Sequence, residues 1–477
     1  MDKGIRVAII DNGISELLLK RGVEKNIVFD ENGMYIDDAK NIAHQQFQHG
    51  TNCAMILEKY CSDCHLFSIR ILDENGRGAI KNIYPALEWC YKNQIRLVNL
   101  SLGTVDFRDC EKLRNLINEC AAKGMVIIAA TANSGFVSYP ASYTNVIGVA
   151  TTGSPLSYSK DYMQMGIDTV VPSEHIIKMS DEEIKTSLSN SYAAPYVCAL
   201  IANRIKIDSS LGIKRLKRYV KEQSHMKMVE EVYEPDWVYR AYVLGRGTES
   251  RAKYYFETVT GEFKKVQEDI DTVIAFSMSD LENIKIGNKN LIYLGKEDIH
   301  IKDVQGFSWS RETRRRQILN NHYQGNGLEV PVVILAIEAE IDIFYILTEL
   351  KSAFASGGYN AYTMGMEPEC VLYGLEYMPE PVADHEAWKN FIESQVFYKQ
   401  SDLVIWCVPL EDRDKFLKVY PDCDVEISLC NEGENILAKL SFEEETIEKK
   451  ISRIIDRKDV EEIYHIIEMK LTEDEDG

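Results

Sequence analysis

The sequence predicts a doubly wound parallel α/β sheet at the amino-terminal end of the chain and a second α/β domain in its C-terminal part. Three observations predict this. Short apolar segments alternate with amphipathic ones up to about residue 225. Segments 96–101 and 125–130 are apolar on both faces, as strands covered by helices on two sides must be. The same alternation resumes near residue 330. A chain of 477 residues, 45% of them hydrophobic, has material for two or three cores.

The elements follow in order. Residues 6–10 form a strand that ends in Asp11-Asn12-Gly13, an acid followed by a glycine turn. Residues 50–60 read as a helix with His49 at its mouth, 65–72 as a strand, and Asp73-Glu74-Asn75-Gly76-Arg77-Gly78 as a turn. Residues 79–93 carry Ile83, Leu87, Cys90 and Tyr91 on one face, and Pro85 predicts a kink or a start later than Ala79. Residues 96–101 and 125–130 are buried strands, with a helix over 110–123 between them. Ser189-Asn190-Ser191-Tyr192-Ala193-Ala194-Pro195 leads sharply into a helix whose alanines permit close packing. In such sheets, sites gather at the carboxyl ends of strands, where Asp11 and the loops after Leu100 and Ala130 fall.

A serine at a helix start lies beside N–H groups that have no helical partner, which suits either a cap or a nucleophile that builds an oxyanion. Asp11, His49 and Ser191, each at the end of a regular element, stand in the subtilisin chain order. Here the chain resembles the subtilases, the S8 family of serine peptidases. Their patterns Asp-(Ser/Thr)-Gly, His-Gly-Thr and Gly-Thr-Ser-x-Ala-x-Pro correspond to Asp11-Asn12-Gly13, His49-Gly50-Thr51 and the stretch from Ser189 to Pro195. Val98-Asn99-Leu100-Ser101-Leu102-Gly103 resembles the strand that lines the non-primed subsites, and Ala129-Ala130-Thr131-Ala132-Asn133-Ser134-Gly135 the segment whose Asn donates to the oxyanion. Tyr139-Pro140-Ala141, Val146-Ile147-Gly148-Val149 and Val170-Val171-Pro172 continue the family order.

The resemblance implies a subtilisin-like domain over 1–245 that hydrolyses peptide bonds. It implies a triad of Asp11, His49 and Ser191, with Asn133 as oxyanion donor. It implies substrate binding by Ser101, Leu102, Gly103, Ala130, Ala132 and Ser138. A serine hydroxyl needs a base, and an imidazole with an ordinary pKa near ~6.5 can serve. Three departures carry expectations. Ser189-Asn190 replaces Gly-Thr, so the loop is expected to be restricted at Ser189. Ala132 stands for a glycine, and with Ser138 predicts a narrower pocket. The span from Thr51 to His65 is too short for the family's calcium loop, so no metal and no cofactor are expected.

The formal net charge of −21 argues against nucleic acid and anionic membranes as partners. No apolar run reaches transmembrane length. No signal peptide and no pro-domain precede Asp11, and the eleven cysteines are odd in number and scattered. Together these lead us to expect a cytoplasmic protein. Cys61-Ser62-Asp63-Cys64 is a lone CxxC and reads as a surface loop; Glu473-Asp474-Glu475-Asp476 reads as a solvated tail.

Residues 246–477 are expected to form an accessory α/β domain: a strand-rich connector over 246–328 and a Rossmann-like, P-loop-like part over 329–477. In the connector, Trp309-Ser310-Arg311-Glu312-Thr313-Arg314-Arg315-Arg316 reads as a solvated helix face or a docking site for an acidic peptide. In the second part, strands are expected at 332–337, 359–364 and 403–409, and helices at 341–355, ending at Gly357-Gly358, and at 384–398. The loop Glu338-Ala339-Glu340-Ile341-Asp342 has neither glycines nor Lys and cannot cradle phosphates as a Walker A loop does. This layout resembles accessory domains of bacterial peptide-maturation systems, which implies a precursor (leader) peptide as substrate. Homo-oligomerisation through the C-terminal domain is a further expectation. The alternatives are a general intracellular protease and a catalytically impaired subtilase fold used for binding or as a scaffold.

Overall fold

The apolar run at the start of the chain sets the layout through its alternation. Val7 and Ile9 point into one core layer, and Ala8 and Ile10 into the other. The computed structural model describes residues 4–30, 33–36, 48–153, 165–179, 182–226, 232–245, 247–282, 284–297, 304–380, 385–418, 423–443 and 445–473. The chain divides into two units, Met1–Tyr239 and Arg240–Gly477.

The strands of the first unit are β1 (Ile5–Asp11), β2 (Lys25–Asp30), β3 (Gly33–Ile36), β4 (Cys64–Arg70), β5 (Leu97–Leu100), β6 (Val126–Ala130), β7 (Val146–Thr151) and β8 (Thr169–Val171). They form an eight-stranded sheet in the order β3-β2-β4-β1-β5-β6-β7-β8. All pairs are parallel except β2 with β3. An antiparallel pair, β9 (Ile176–Met179) and β10 (Glu182–Lys185), follows. Helices α1 (His49–Tyr60), α4 (Asn190–Ile207) and α5 (Ile213–Glu222) pack on the Val7 and Ile9 face; α2 (Ile83–Lys92) and α3 (Cys110–Ala122) cover the other. α2 starts at Ile83, after the short turn Ile80–Asn82, so Pro85 lies in its first turn, where a missing N–H costs nothing. α4 is apolar on most sides, as a helix sunk into a core must be, with Ala193, Ala194, Val197, Cys198 and Ala199 fully buried.

Among the described residues, the second unit contains two sheets. β11 (Arg240–Leu244), β12 (Glu257–Thr258), β13 (Thr272–Ala275), β14 (Asn290–Tyr293) and β15 (Ser308–Ser310) form a five-stranded parallel sheet, ordered β12-β11-β13-β14-β15. Short helices α6 (Phe263–Val266) and α7 (Met278–Leu281) lie between its strands, and α8 (Arg311–Leu319) follows. Because β11 pairs with β12 and β13, the division falls at Tyr239, ahead of the boundary read at 245.

The next elements are β16 (Val332–Ile337), α9 (Ile343–Gly357), β17 (Ala361–Gly365), β18 (Glu376–Tyr377), α10 (His385–Lys399) and β19 (Leu403–Pro409). They are followed by α11 (Arg413–Leu417), β20 (Val425–Glu432), β21 (Asn435–Ser441), β22 (Thr446–Ser452) and α12 (Arg457–Glu473). The sheet order is β18-β17-β19-β16-β20-β21-β22, with β21 and β22 antiparallel. Asp384, the expected start of α10, and the tail residues Asp474, Glu475 and Asp476 lie outside the described residues.

One expectation about this unit changes, and the acidic loop after β16 gains a structural role. Arg314 is not on a solvated face: it is 1% exposed, 3.1 Å from Glu376 Oε2, and lies over the Phe391 ring. The acidic loop after β16 is occupied by backbone capping. Asp342 Oδ1 accepts the Tyr345 N–H that opens α9 at 3.1 Å, and Glu338 Oε2 accepts the Asn431 N–H at 2.6 Å. Among the described residues, no helix is long and apolar enough to cross a membrane.

Candidate active site

β1 ends on Asp11, and α1 starts beside it. Asp11 Oδ2 lies 2.8 Å from His49 Nδ1, with the carboxylate buried and the imidazole part-exposed. The two motifs that carry these residues are stitched together. Gly50 N–H donates to Asn12 Oδ1 at 3.0 Å, and Ser15 N–H donates to Thr51 Oγ1 at 3.0 Å. A Cβ on Gly50 would sit 2.5 Å from the Gly13 carbonyl oxygen and 3.0 Å from Asp11 Cβ, so only glycine lets α1 begin this close to β1.

Ser191 is the second residue of α4. Ser189 caps the helix with φ −158°, an extended conformation open to any residue, so the restriction expected from replacing glycine is absent. Its hydroxyl donates to Ser191 Oγ at 3.2 Å and accepts the Ser191 N–H at 3.4 Å. Among the described residues Ser191 and His49 share no direct hydrogen bond; in a substrate-free site such bonds tighten when substrate arrives. Asn190, fully buried, ties this turn to two strand ends. Its Oδ1 accepts Thr151 N–H at 2.8 Å, and its Nδ2 donates to Thr131 O at 3.0 Å. Asn133 Oδ1 accepts Asn190 N–H at 3.2 Å, which turns the Asn133 carboxamide toward the start of α4.

Pro195 lacks the N–H that would donate to the Ser191 carbonyl one turn back. Ser101 Oγ donates to that oxygen instead at 2.8 Å, and Asn99 Nδ2 donates to Ser101 Oγ at 2.9 Å. Ser101 therefore supports the serine rather than presenting its hydroxyl to a ligand. Beyond it, Leu102 packs on the core and Gly103 is exposed; a Cβ on Gly103 would lie 2.8 Å from Tyr139 O. Thr104 and Tyr139 exchange two backbone bonds of 2.8 Å, which fixes this edge. Two residues read as substrate-binding have interior side chains. Ala130 belongs to the core, and the buried Ser138 hydroxyl accepts Ala132 N–H at 2.8 Å. Ala132, read as a pocket residue, is part-exposed.

Three neighbours of the site were not singled out for it. Cys53, one turn beyond His49 on α1, has its sulfur 4.0 Å from His49 Nδ1, 3.4 Å from Ser101 Oγ and 3.7 Å from Ser191 O. The i, i+4 spacing from His49 was the available signal. The Tyr192 ring centroid lies 5.1 Å from that of His49, and Asn190 stood in the sequence only as a departure from Gly-Thr. Burial alone would lower the His49 pKa, but the sulfur of Cys53 and the carboxylate of Asp11 outweigh it and raise it well above the ordinary 6.5. Among the described residues, Asp11, His49 and Cys53 also place three ligand atoms within 4.8 Å of one another. A thiophilic divalent cation held there would take His49 through Nδ1 and displace its contact with Asp11.

Residues 2–225 match the sequence profile of the subtilase family. Subtilisin BL of Lederbergia lenta is 29% identical over 212 residues, covering 42% of this chain and 75% of that protein. The minor extracellular protease Epr of Bacillus subtilis (strain 168) is 26% identical over 221 residues, 42% of this chain and 32% of its own length. Alkaline elastase YaB of Bacillus sp. (strain YaB) is 30% identical over 159 residues, 31% of this chain and 40% of that protein. A solved cold adapted subtilisin-like serine proteinase aligns with 48% of this chain and 85% of its own, at 18% identity and a TM-score of 0.38. The chain thus spans three quarters of subtilisin BL but less than half of Epr and YaB. Residues 2–225 belong to the subtilase family of S8 serine endopeptidases.

Proposed function

We propose that this chain is a serine endopeptidase in which Ser191 attacks the peptide carbonyl, His49 takes and returns the proton, and Asp11 orients His49. The observation that carries the reading is the 2.8 Å contact of Asp11 Oδ2 with His49 Nδ1 beside a serine at the start of α4. An aspartate on Nδ1 fixes the tautomer in which Nε2 is the base, and stabilises the imidazolium formed on proton transfer. The tetrahedral oxyanion receives the Asn133 amide and the Ser191 N–H. The latter is held by Ser189 Oγ only at 3.4 Å, a bond that the oxyanion replaces. The exposed edge at Gly103 suits an extended peptide that adds as a strand.

As substrate we propose a precursor peptide bound by the accessory unit and cleaved in the cytoplasm of a bacterium. Eleven free thiols favour a reducing compartment. General protein turnover is the competing enzyme role. A second class of reading, a binding or scaffold protein, draws on Ser191 Oγ taking its hydrogen bond from Ser189 rather than engaging His49.

Labelling with a fluorophosphonate separates the two classes. An adduct mapped to Ser191, absent in Ser191→Ala, is the result expected of the enzyme. Folded protein that takes no label is the scaffold's result. Mass spectrometry of products from a random peptide library then distinguishes turnover of many sequences from cleavage of a few.

A further inference from the structure

The turn between α1 and β4 carries chemistry that the peptidase reaction does not use. Cys61 caps α1, with its N–H donating to Leu57 O at 2.8 Å; Ser62 and Asp63 form the turn; Cys64 opens β4. The Cys61 sulfur collects donors. Lys206 Nζ, from α4, donates to it from 3.5 Å, and the Cys64 side chain and the Asp63 backbone on the same turn also favour its charged form. The ammonium is held in place by Asp63, whose Oδ2 is 3.3 Å from Lys206 Nζ and whose Oδ1 is 3.5 Å from Arg21.

Donors on every side of a sulfur favour the thiolate. The hydrogen bond from Cys64, aided by Lys206 and opposed by burial, holds Cys61 below the ordinary thiol range. Cys64, which gives that bond, is raised. The ammonium of Lys206 sits on Cys61, which makes Cys61 the nucleophile of the pair and Cys64 the resolving thiol. Burial pushes Cys90, Cys120, Cys198 and Cys407 the opposite way from Cys61.

We propose that Cys61 and Cys64 form a reversible oxidation site, at which hydrogen peroxide converts the two thiols into a disulfide. The turn brings the two residues into disulfide range. The ends of a tight turn lie within ~7 Å of each other, inside or next to the ~4.4–6.8 Å that a disulfide spans between Cα atoms. Cys61 is 2% exposed, but Ser62 and Asp63 are at the surface and Cys64 is part-exposed, so an oxidant of two heavy atoms reaches a sulfur that a bulky disulfide does not.

The steps balance. The Cys61 thiolate attacks one peroxide oxygen, the O–O bond breaks, and hydroxide leaves; with one proton from solvent this gives Cys61 sulfenic acid and water. The Cys64 sulfur then attacks the Cys61 sulfur, the S–O bond breaks, and the departing hydroxide takes the Cys64 proton as water. Two thiols lose two electrons in all, and one peroxide becomes two waters.

The test uses the full chain, treated with graded hydrogen peroxide, then freed of peroxide, alkylated in denaturant and mapped by mass spectrometry. The expected result is loss of two hydrogens from the Cys61–Cys64 peptide, reversed by dithiothreitol, at exposures that leave Cys90, Cys120 and Cys198 open to alkylation. Cys64→Ser should stop at a sulfenic acid on Cys61 that dimedone traps, and Lys206→Met should slow disulfide formation by about tenfold or more. A Cys61 that stays alkylatable while other cysteines oxidise overturns the proposal. So does a Lys206→Met protein that forms the disulfide at the wild-type rate. The rate of peroxide oxidation of each cysteine in the wild-type chain against pH needs no variant. Cys61 should react well below the pH at which ordinary thiols do, and co-titration of Cys61 with the other cysteines also overturns the proposal.

Discussion

Ser101 Oγ donates a 2.8 Å hydrogen bond to the Ser191 carbonyl oxygen, which Pro195 leaves without its helical donor. The proline and the serine ninety residues upstream of Ser191 are therefore one device, and removing the hydroxyl leaves that carbonyl with the weaker Cys53 thiol in its place. Ser101→Ala should cost about 1–3 kcal/mol of stability. It should also lower kcat more than it raises KM, since the serine is displaced while the exposed edge at Gly103 persists. Urea unfolding and steady-state kinetics on one chromogenic peptide check both; unchanged stability would remove the support role from Ser101.

The triad prediction is one of unit behaviour. Ser191→Ala, His49→Ala and Asp11→Asn should each lower turnover by roughly 10⁴–10⁶-fold with the fold retained, and the double variants should lose little more. Circular dichroism controls for folding. Near-normal hydrolysis by Ser191→Ala would show that another residue is the nucleophile.

Activity should rise with pH, because the reaction needs His49 unprotonated and its pKa is raised in the folded protein. The midpoint of kcat/KM is therefore expected on the alkaline side of 6.5, not near it. Cys53 contributes to that shift from 4.0 Å, so Cys53→Ala should move the midpoint to lower pH. Profiles of both proteins decide the matter: coincident midpoints would leave Cys53 without electrostatic influence on the base.

Glu376 gives the second unit an acid sensitivity. Burial would raise its pKa, but Lys399 and Arg314 lower it from 4.5 to about 2. The folded-state value lies below the unfolded one, so the stabilisation is full above about 4.5 and is lost as pH falls toward 2. Glu376→Gln leaves Arg314 buried without its carboxylate and should destabilise at pH 7 by about 3–5 kcal/mol. The difference from wild type should shrink on acidification through that window. A gap independent of pH would point to packing rather than charge.

The legible part of this protein was the part written in local chemistry. Asp11, His49 and Ser191 each follow an apolar segment and stand in motifs whose glycines and caps have local reasons, so position in the chain implied position in the sheet. Ser138 turned out buried because the 131–138 loop folds back on itself, with Ser138 Oγ closing on Ala132 N–H, and Ala130 because it ends a strand sunk in the core. Arg314 looked solvated because its partner Glu376 lies far along the chain. Asn190 looked like a flaw in a motif; its worth lies in Thr131 and Thr151, the ends of neighbouring strands that no local pattern joins to it.

The order of the elements also decides when the chain can first act. Asp11 and His49 belong to β1 and α1, but the serine, its cap and the asparagine that fastens them all come from the start of α4, which docks against strands made long before it. A nascent chain that has not yet released α4 from the ribosome has an acid and a base but nothing for them to activate. The sheet must be assembled before α4 has a floor to lie on. On the proposed mechanism, hydrolysis is therefore a property of the finished unit alone, and the onset of activity during refolding should report the docking of one helix.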